Sequence, residues 1–167
     1  RQTGAQPAVV QAGPDAGLTG GVRFPGWSLL FAAMAGCAVA EPGELLSYRV
    51  EGDAIPAALS PAAGDPARGK TLVMGRESNC LLCHAVPETG VRFMGNIGPP
   101  LSGIGARLSA GQLRLRVVDQ SRLNHDTVMP SYYRTEGLTR VAPAYQGRPV
   151  LTAGQIEDVV AFLQTLQ

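Results

Sequence analysis

Five consecutive residues, Cys80-Leu81-Leu82-Cys83-His84, have the types and spacing to do chemistry together. C-x-x-C-H is the attachment pattern of a c-type haem. Two thiols on one helical turn can each add to a vinyl group at one porphyrin edge, and the adjacent histidine then offers its imidazole to the iron. Three other uses of the pair fit less well. A thioredoxin-type couple wants a preceding strand, whereas Asp65-Pro66 to Gly75 carries helix signals. A zinc site needs a fourth ligand, and only His125 is available. A disulfide across three residues of a helical turn would be strained.

An iron ligated by His84 on one side leaves its other axial position to be filled from elsewhere. Met74, Met94, Met129 and His125 are the candidates. Met74 belongs to the helix before the motif, and Met94 follows His84 too closely to reach the opposite haem face with ease. Met129 is favoured because it lies further on, in Val128-Met129-Pro130-Ser131-Tyr132-Tyr133, where a proline and two tyrosines can fix the backbone and line a haem edge. His125 and an open iron site stand as the alternatives.

The rest of the chain must position these groups. It has 167 residues, about one domain's worth, with 14 basic against 13 acidic side chains and a net charge of +1. That balance excludes electrostatic binding of nucleic acid. Hydrophobic residues make up 45% but aromatic residues only 5%, and 21 glycines with 13 prolines indicate a turn-rich fold. A buried porphyrin would supply the large apolar body that the side chains do not. Three cysteines are too few for a disulfide scaffold.

Residues 1–40 read as an upstream segment plus a cleavable secretory signal peptide. Arg23 precedes an apolar run from Phe24 to Met34, and Ala38-Val39-Ala40 matches the small-residue cleavage pattern. Translation starting near Val22 is the simplest account of a signal so far along. Cys37 gives a weaker alternative, a lipoprotein site. Cleavage after Ala40 removes Arg1, Asp15 and Arg23, so the remaining charges cancel. Export to the periplasm is the expected localisation, and c-type haem is attached outside the cytoplasm. Residues 41–63 read as an N-terminal arm or linker, and residues 64–167 as the domain proper. Its helix signals are Asp65-Pro66 ahead of Ala67–Met74, a capping box at Ser109 and Gln112, and a second at Thr152 and Gln155 ahead of Ile156, Val159, Val160, Leu163 and Leu166. Between them lie loops dense in Gly and Pro.

In order and type, Gly69-Lys70, the haem motif, Gly98-Pro99-Pro100-Leu101, Arg107 and a terminal helix bearing Phe162 resemble class I cytochrome c. The resemblance implies an all-α, class I cytochrome c-like fold around one covalently bound haem c with His/Met iron, a loop-rich haem surround and an N-terminal arm. It also implies that Gly69 and Phe162 lie where the first and last helices cross. Pro99 would offer its carbonyl to His84, and Arg107 would approach a haem propionate. A narrower similarity covers about residues 64–167. Gly64–Gly69, Asn79–Ala85, Gly95–Gly103, Leu113–Asp119, Met129–Arg134 and the Leu151–Leu166 tail resemble the SoxX family, the monohaem subunits of SoxAX cytochromes in periplasmic sulfur oxidation.

What that similarity implies is a heterodimer with a SoxA-type haem subunit, acting as an S-thiosulfotransferase that joins thiosulfate oxidatively to a cysteine of the SoxYZ carrier. The X subunit would pass the released electrons to a downstream acceptor cytochrome and would contain no catalytic residue itself. A free-standing periplasmic monohaem carrier is the alternative, and an enzyme or gas sensor with an open iron site is a third reading that Met129 argues against. Lys70 is the only lysine, so steering by a lysine rim is weak. A permanent partner on an apolar face suits the composition better, with residues 41–63 across it and Tyr132 and Tyr133 serving either as interface anchors or as haem-pocket packing.

Overall fold

Asp65 accepts a hydrogen bond from the Arg68 backbone N–H and Pro66 occupies the first turn, which together start helix α1 at Pro66–Met74. The structure, a computed structural model, describes residues 45–167. The expected leader, Cys37 and the first residues of the arm lie outside the described residues. A single turn, α2 (Cys80–Cys83), and another, α3 (Ile104–Arg107), precede α4 (Ala110–Asp119) and α5 (Ala153–Thr165), with short 3-10 turns at Pro87–Thr89, Gln120–Arg122 and Pro143–Tyr145. No strand is found among the described residues, and the fold is the all-α one that the sequence predicts. Both capping boxes form. Ser109 and Gln112 exchange side-chain-to-backbone bonds at the start of α4, and Thr152 and Gln155 do so at the start of α5.

The longest helix, α5, presents Ile156, Val159, Val160, Phe162 and Leu163 to the core, which α4 completes with Leu113, Leu115, Val117 and Val118. Helix α1 crosses α5 with the backbones almost touching. A Cβ on Gly69 would overlap the Asp158 carbonyl and would come within 2.8 Å of the Phe162 Cβ, so only glycine permits this crossing. Asp158 reinforces it, accepting from the Asp65 N–H at 2.7 Å and from Arg68 Nε and Nη2 at 2.8 and 2.7 Å. Burial raises the Asp158 pKa, but the Arg68 hydrogen bond and charge outweigh it, so the carboxyl sits below its usual range. Gly69→Ala is expected to lower stability by about 1–3 kcal/mol through forced separation of the two helices. Thermal melting of the haem-loaded protein checks this, and an unchanged midpoint would refute the crossing argument.

The arm, expected as an arm or linker, packs on this chain's own core along its described residues. Leu46, Tyr48 and Val50 alternate onto the core while Leu45, Ser47 and Arg49 are exposed. Ile55, 0% exposed, and Leu59 are core residues. The Ile55 N–H donates to the Gly111 carbonyl at 2.9 Å. Beneath lies an ion pair between α4 and α5, with side chains only 6% and 7% exposed: Arg114 Nε donates to Glu157 Oε1 at 2.7 Å and Nη2 to Oε2 at 2.8 Å. Each partner also holds the arm. Arg114 Nη1 donates to the Ile55 carbonyl at 2.6 Å, and Glu157 Oε1 accepts from the Leu59 N–H at 2.8 Å. The arm is thus the outer layer of this chain's own core.

Candidate functional site

After α1 the chain turns through Asn79, whose φ of 50° is left-handed, a conformation asparagine tolerates better than most residues. That turn launches α2, closed by the His84 N–H on the Cys80 carbonyl at 2.9 Å. Cys80 and Cys83 both line a cavity of about 470 Å³, within the size range of cofactor pockets. The Cys80 and Cys83 thiols are free. Burial pushes the Cys80 thiol up, against the opposing effect of hydrogen bonds with Ser78 and Tyr132. A redox-active dithiol needs the opposite shift, towards thiolate. No group of three or more His, Cys, Asp or Glu side chains suited to a metal ion is found among the described residues.

His84 leaves α2 in an extended conformation, and its Nδ1 lies 2.7 Å from the Pro99 carbonyl oxygen. A carbonyl can only accept, so Nδ1 carries the proton and Nε2 keeps its lone pair for a metal. Three backbone bonds set Pro99 there: Gly95 N–H to Leu81 C=O at 2.8 Å, Gly98 N–H to Cys83 C=O at 2.8 Å, and Leu101 N–H to Ala85 C=O at 2.9 Å. Gly98 lies flat on the imidazole, where a Cβ would collide with the ring. Loop and ligand are therefore fitted to each other.

Met129 lines the same cavity, with Pro130 and Tyr132 from its loop, Leu113 and Val117 from α4, and Val159 and Leu163 from α5. The other candidate ligands are elsewhere. Met74 is 43% exposed, Met94 Sδ accepts from the Val86 N–H at 3.1 Å, and His125 is exposed outside the lining. Two thiols, an imidazole with a free Nε2 and a thioether thus border one apolar space. That donor set fits a c-type haem.

Arg107, expected near a propionate, lies outside the lining and donates from Nη1 to the Ser102 carbonyl at 2.8 Å. The cause is register: Ile104 and Leu108 line the cavity on either side of the single turn α3, which leaves Arg107 exposed. The arginine that does line the cavity is Arg116, steadied by the Gln112 carbonyl at 2.9 Å and by Asp53 at 3.7 Å. Its signal in the sequence is its place between Leu113 and Val117 on the lining side of α4.

Tyr132 and Tyr133 are buried, so neither is an interface anchor. The Tyr132 hydroxyl donates to the Ser78 carbonyl beside Cys80, and burial, together with the nearby Cys80, raises its pKa. The Tyr133 hydroxyl accepts from the Leu46 N–H at 2.8 Å, and its ring lies 6.2 Å from that of Tyr48. A buried carboxylate unnoticed in the sequence, Asp119, ends α4 beside this loop. Burial raises its pKa, but hydrogen bonds from Ser121 and Ser131 and the charge of Arg134 outweigh that and bring it below the usual range.

The cytochrome c family model matches residues 66–167. Among solved structures, the chain is similar to the crystal structure of SoxXA from P. pantotrophus, with 36% sequence identity and a TM-score of 0.66, covering 71% of this chain and 93% of that one. Comparison with curated proteins gave no match. With the attachment motif inside the matched residues and the helices closing on an apolar cavity, the chain belongs to the cytochrome c family, as a SoxX-type cytochrome whose cofactor is covalently bound haem c.

Proposed function

We propose that this chain is the electron-transfer subunit of a SoxAX cytochrome, with haem joined to Cys80 and Cys83, His84 as proximal ligand and Met129 as distal ligand. The observation that carries this is the meeting of Cys80, Cys83, His84 and Met129 on one apolar lining. Bound haem supplies a one-electron couple, and methionine ligation moves such a couple to higher potential. The chain's residues do the rest. The Pro99 carbonyl orients His84, Gly98 leaves room for the imidazole, and the apolar walls from α4 and α5 exclude water. Arg116 takes the propionate-facing role first expected of Arg107, because it is the arginine of the lining.

Two protein ligands leave no iron position for a substrate, so bond-making chemistry belongs to the partner. That partner is a SoxA-type haem subunit, and the pair acts as an L-cysteine S-thiosulfotransferase. Thiosulfate is joined to a SoxYZ cysteine, two electrons are released, and this chain passes them to a downstream cytochrome. Residues 1–40 direct export to the periplasm, residues 41–63 form the arm, and residues 64–167 carry the haem.

The test is co-expression of the full chain with a SoxA-type subunit under haem-maturation conditions. A stable complex is expected, with thiosulfate-dependent cytochrome reduction when SoxYZ is added. A monomer that supports no such reduction would replace this reading with that of a free-standing carrier.

A further inference from the structure

Met129 reaches the cavity from a loop outside any helix, so other contacts must fix that loop's place. Pro130 restricts the backbone just after it. Two backbone bonds then lay the following residues along the end of α4, Tyr132 N–H to Val117 C=O at 3.4 Å and Tyr133 N–H to Val118 C=O at 3.3 Å. Both are longer than the usual separation of about 2.9–3.0 Å. The short contacts at this seam are made by one carboxylate. Asp119, 1% exposed, accepts from Ser131 Oγ at 2.6 Å and from Ser121 Oγ at 2.6 Å. Its other oxygen lies 3.3 Å from Arg134 Nε and 3.8 Å from Arg122 Nε.

These partners divide into two sets. Ser121 and Arg122 belong to the 3-10 turn that directly follows Asp119, and the Ser121 backbone N–H also donates to it at 3.2 Å, so those contacts cap a local turn. Ser131 and Arg134 belong to the Met129 loop: Ser131 binds that loop to α4 through its hydrogen bond to Asp119, while Arg134, whose buried Nε makes no hydrogen bond, adds only its charge. Hydrogen bonds to a charged acceptor are stronger than neutral ones. With the loop's backbone bonds to α4 long, the carboxylate makes the shortest contacts between loop and helix, while Tyr132 and Tyr133 are also held to Ser78, Leu151 and Leu46.

We infer that Asp119 is the positioning residue for Met129: through Ser131 and Arg134 it keeps the methionine loop seated at the cavity, and so sets how readily the thioether leaves the iron. The inference rests on the reading of Met129 as distal ligand. Loss of one bond to a charged acceptor corresponds to roughly a tenfold change in an opening equilibrium.

The experiment uses the full haem-loaded protein, with imidazole as the competing ligand for ferric iron and the sulfur-to-iron charge-transfer band as the optical readout. Ser131→Ala is expected to bind imidazole about tenfold more tightly than the parent, and Asp119→Asn at least as tightly as Ser131→Ala. Ser131→Thr, which keeps the hydroxyl, restores affinity towards the parent value. Ser121→Ala, which weakens only the local cap, stays close to the parent. Parent-like affinity in both Ser131→Ala and Asp119→Asn, with the band lost in Met129→Ala, overturns the role of Asp119 and leaves the ligand assignment intact. An effect of Ser121→Ala equal to that of Ser131→Ala also overturns it, by reducing the cluster to a general fold contact. A band that survives Met129→Ala defeats the ligand assignment and the inference together.

Discussion

Met129→Ala is expected to leave haem covalently attached through Cys80 and Cys83 while abolishing the sulfur-to-iron charge-transfer band and lowering the reduction potential. The attachment cysteines belong to α2 and Met129, the proposed distal ligand, to a separate loop, so the second can be removed without the first. Axial ligands move haem potentials over a range of roughly 0.8 V, and loss of the methionine should cost a tenth of that range or more. The reduced variant should also bind carbon monoxide, because a small side chain leaves the position open. Potentiometry and optical spectra decide the matter. A band that persists, or a potential equal to that of the parent, would mean that Met129 is not the ligand.

The largest expected loss of stability is at a site remote from the cofactor. Arg114→Ala strips Glu157 of its bidentate partner at a position where both side chains are under a tenth exposed, and it also removes the donor to the Ile55 carbonyl. Leaving a buried charge unpaired costs about 3–5 kcal/mol. Set against a typical domain stability of about 5–15 kcal/mol, that is a large fraction. Denaturant melts of the haem-loaded protein measure it. Replacing both residues together, as Arg114→Met with Glu157→Leu, should recover much of the loss, because no charge is then stranded. A single variant within about 1 kcal/mol of the parent would show that the pair does not hold the arm to the core.

These two sites differ in how far they were legible beforehand. The haem motif is contiguous, so its chemistry is complete within five residues and needs no tertiary information. The helix starts were legible for a similar reason: Asp65, Ser109 and Thr152 cap through bonds that span only three residues. Arg114 and Glu157 gave no such sign, because a charged residue on a helix ordinarily faces water and their pairing joins segments far apart in the chain. The packing of the arm on the core is hidden from the sequence by the same gap. Ile55 and Leu59 are isolated among Ala, Pro and Ser, and only the backbone bonds to Gly111 and Glu157 reveal them as core. Which arginine lines the cavity is hidden from the sequence because one helical turn decides it: Arg116 on α4 does and Arg107, on the single turn α3, does not.

The crossing of α1 on α5 also orders events in time. Val159 and Leu163, which form part of the cavity wall, lie near the end of the chain, whereas the thiols that must react lie near its middle. A chain that emerges N-terminus first therefore exposes Cys80 and Cys83 before it owns the helix that encloses them. Pocket closure waits on a contact of long sequence separation, the slow kind to form. The topology thereby provides an interval in which the attachment turn is accessible to haem and to whatever delivers it, and the last helix then ends that interval.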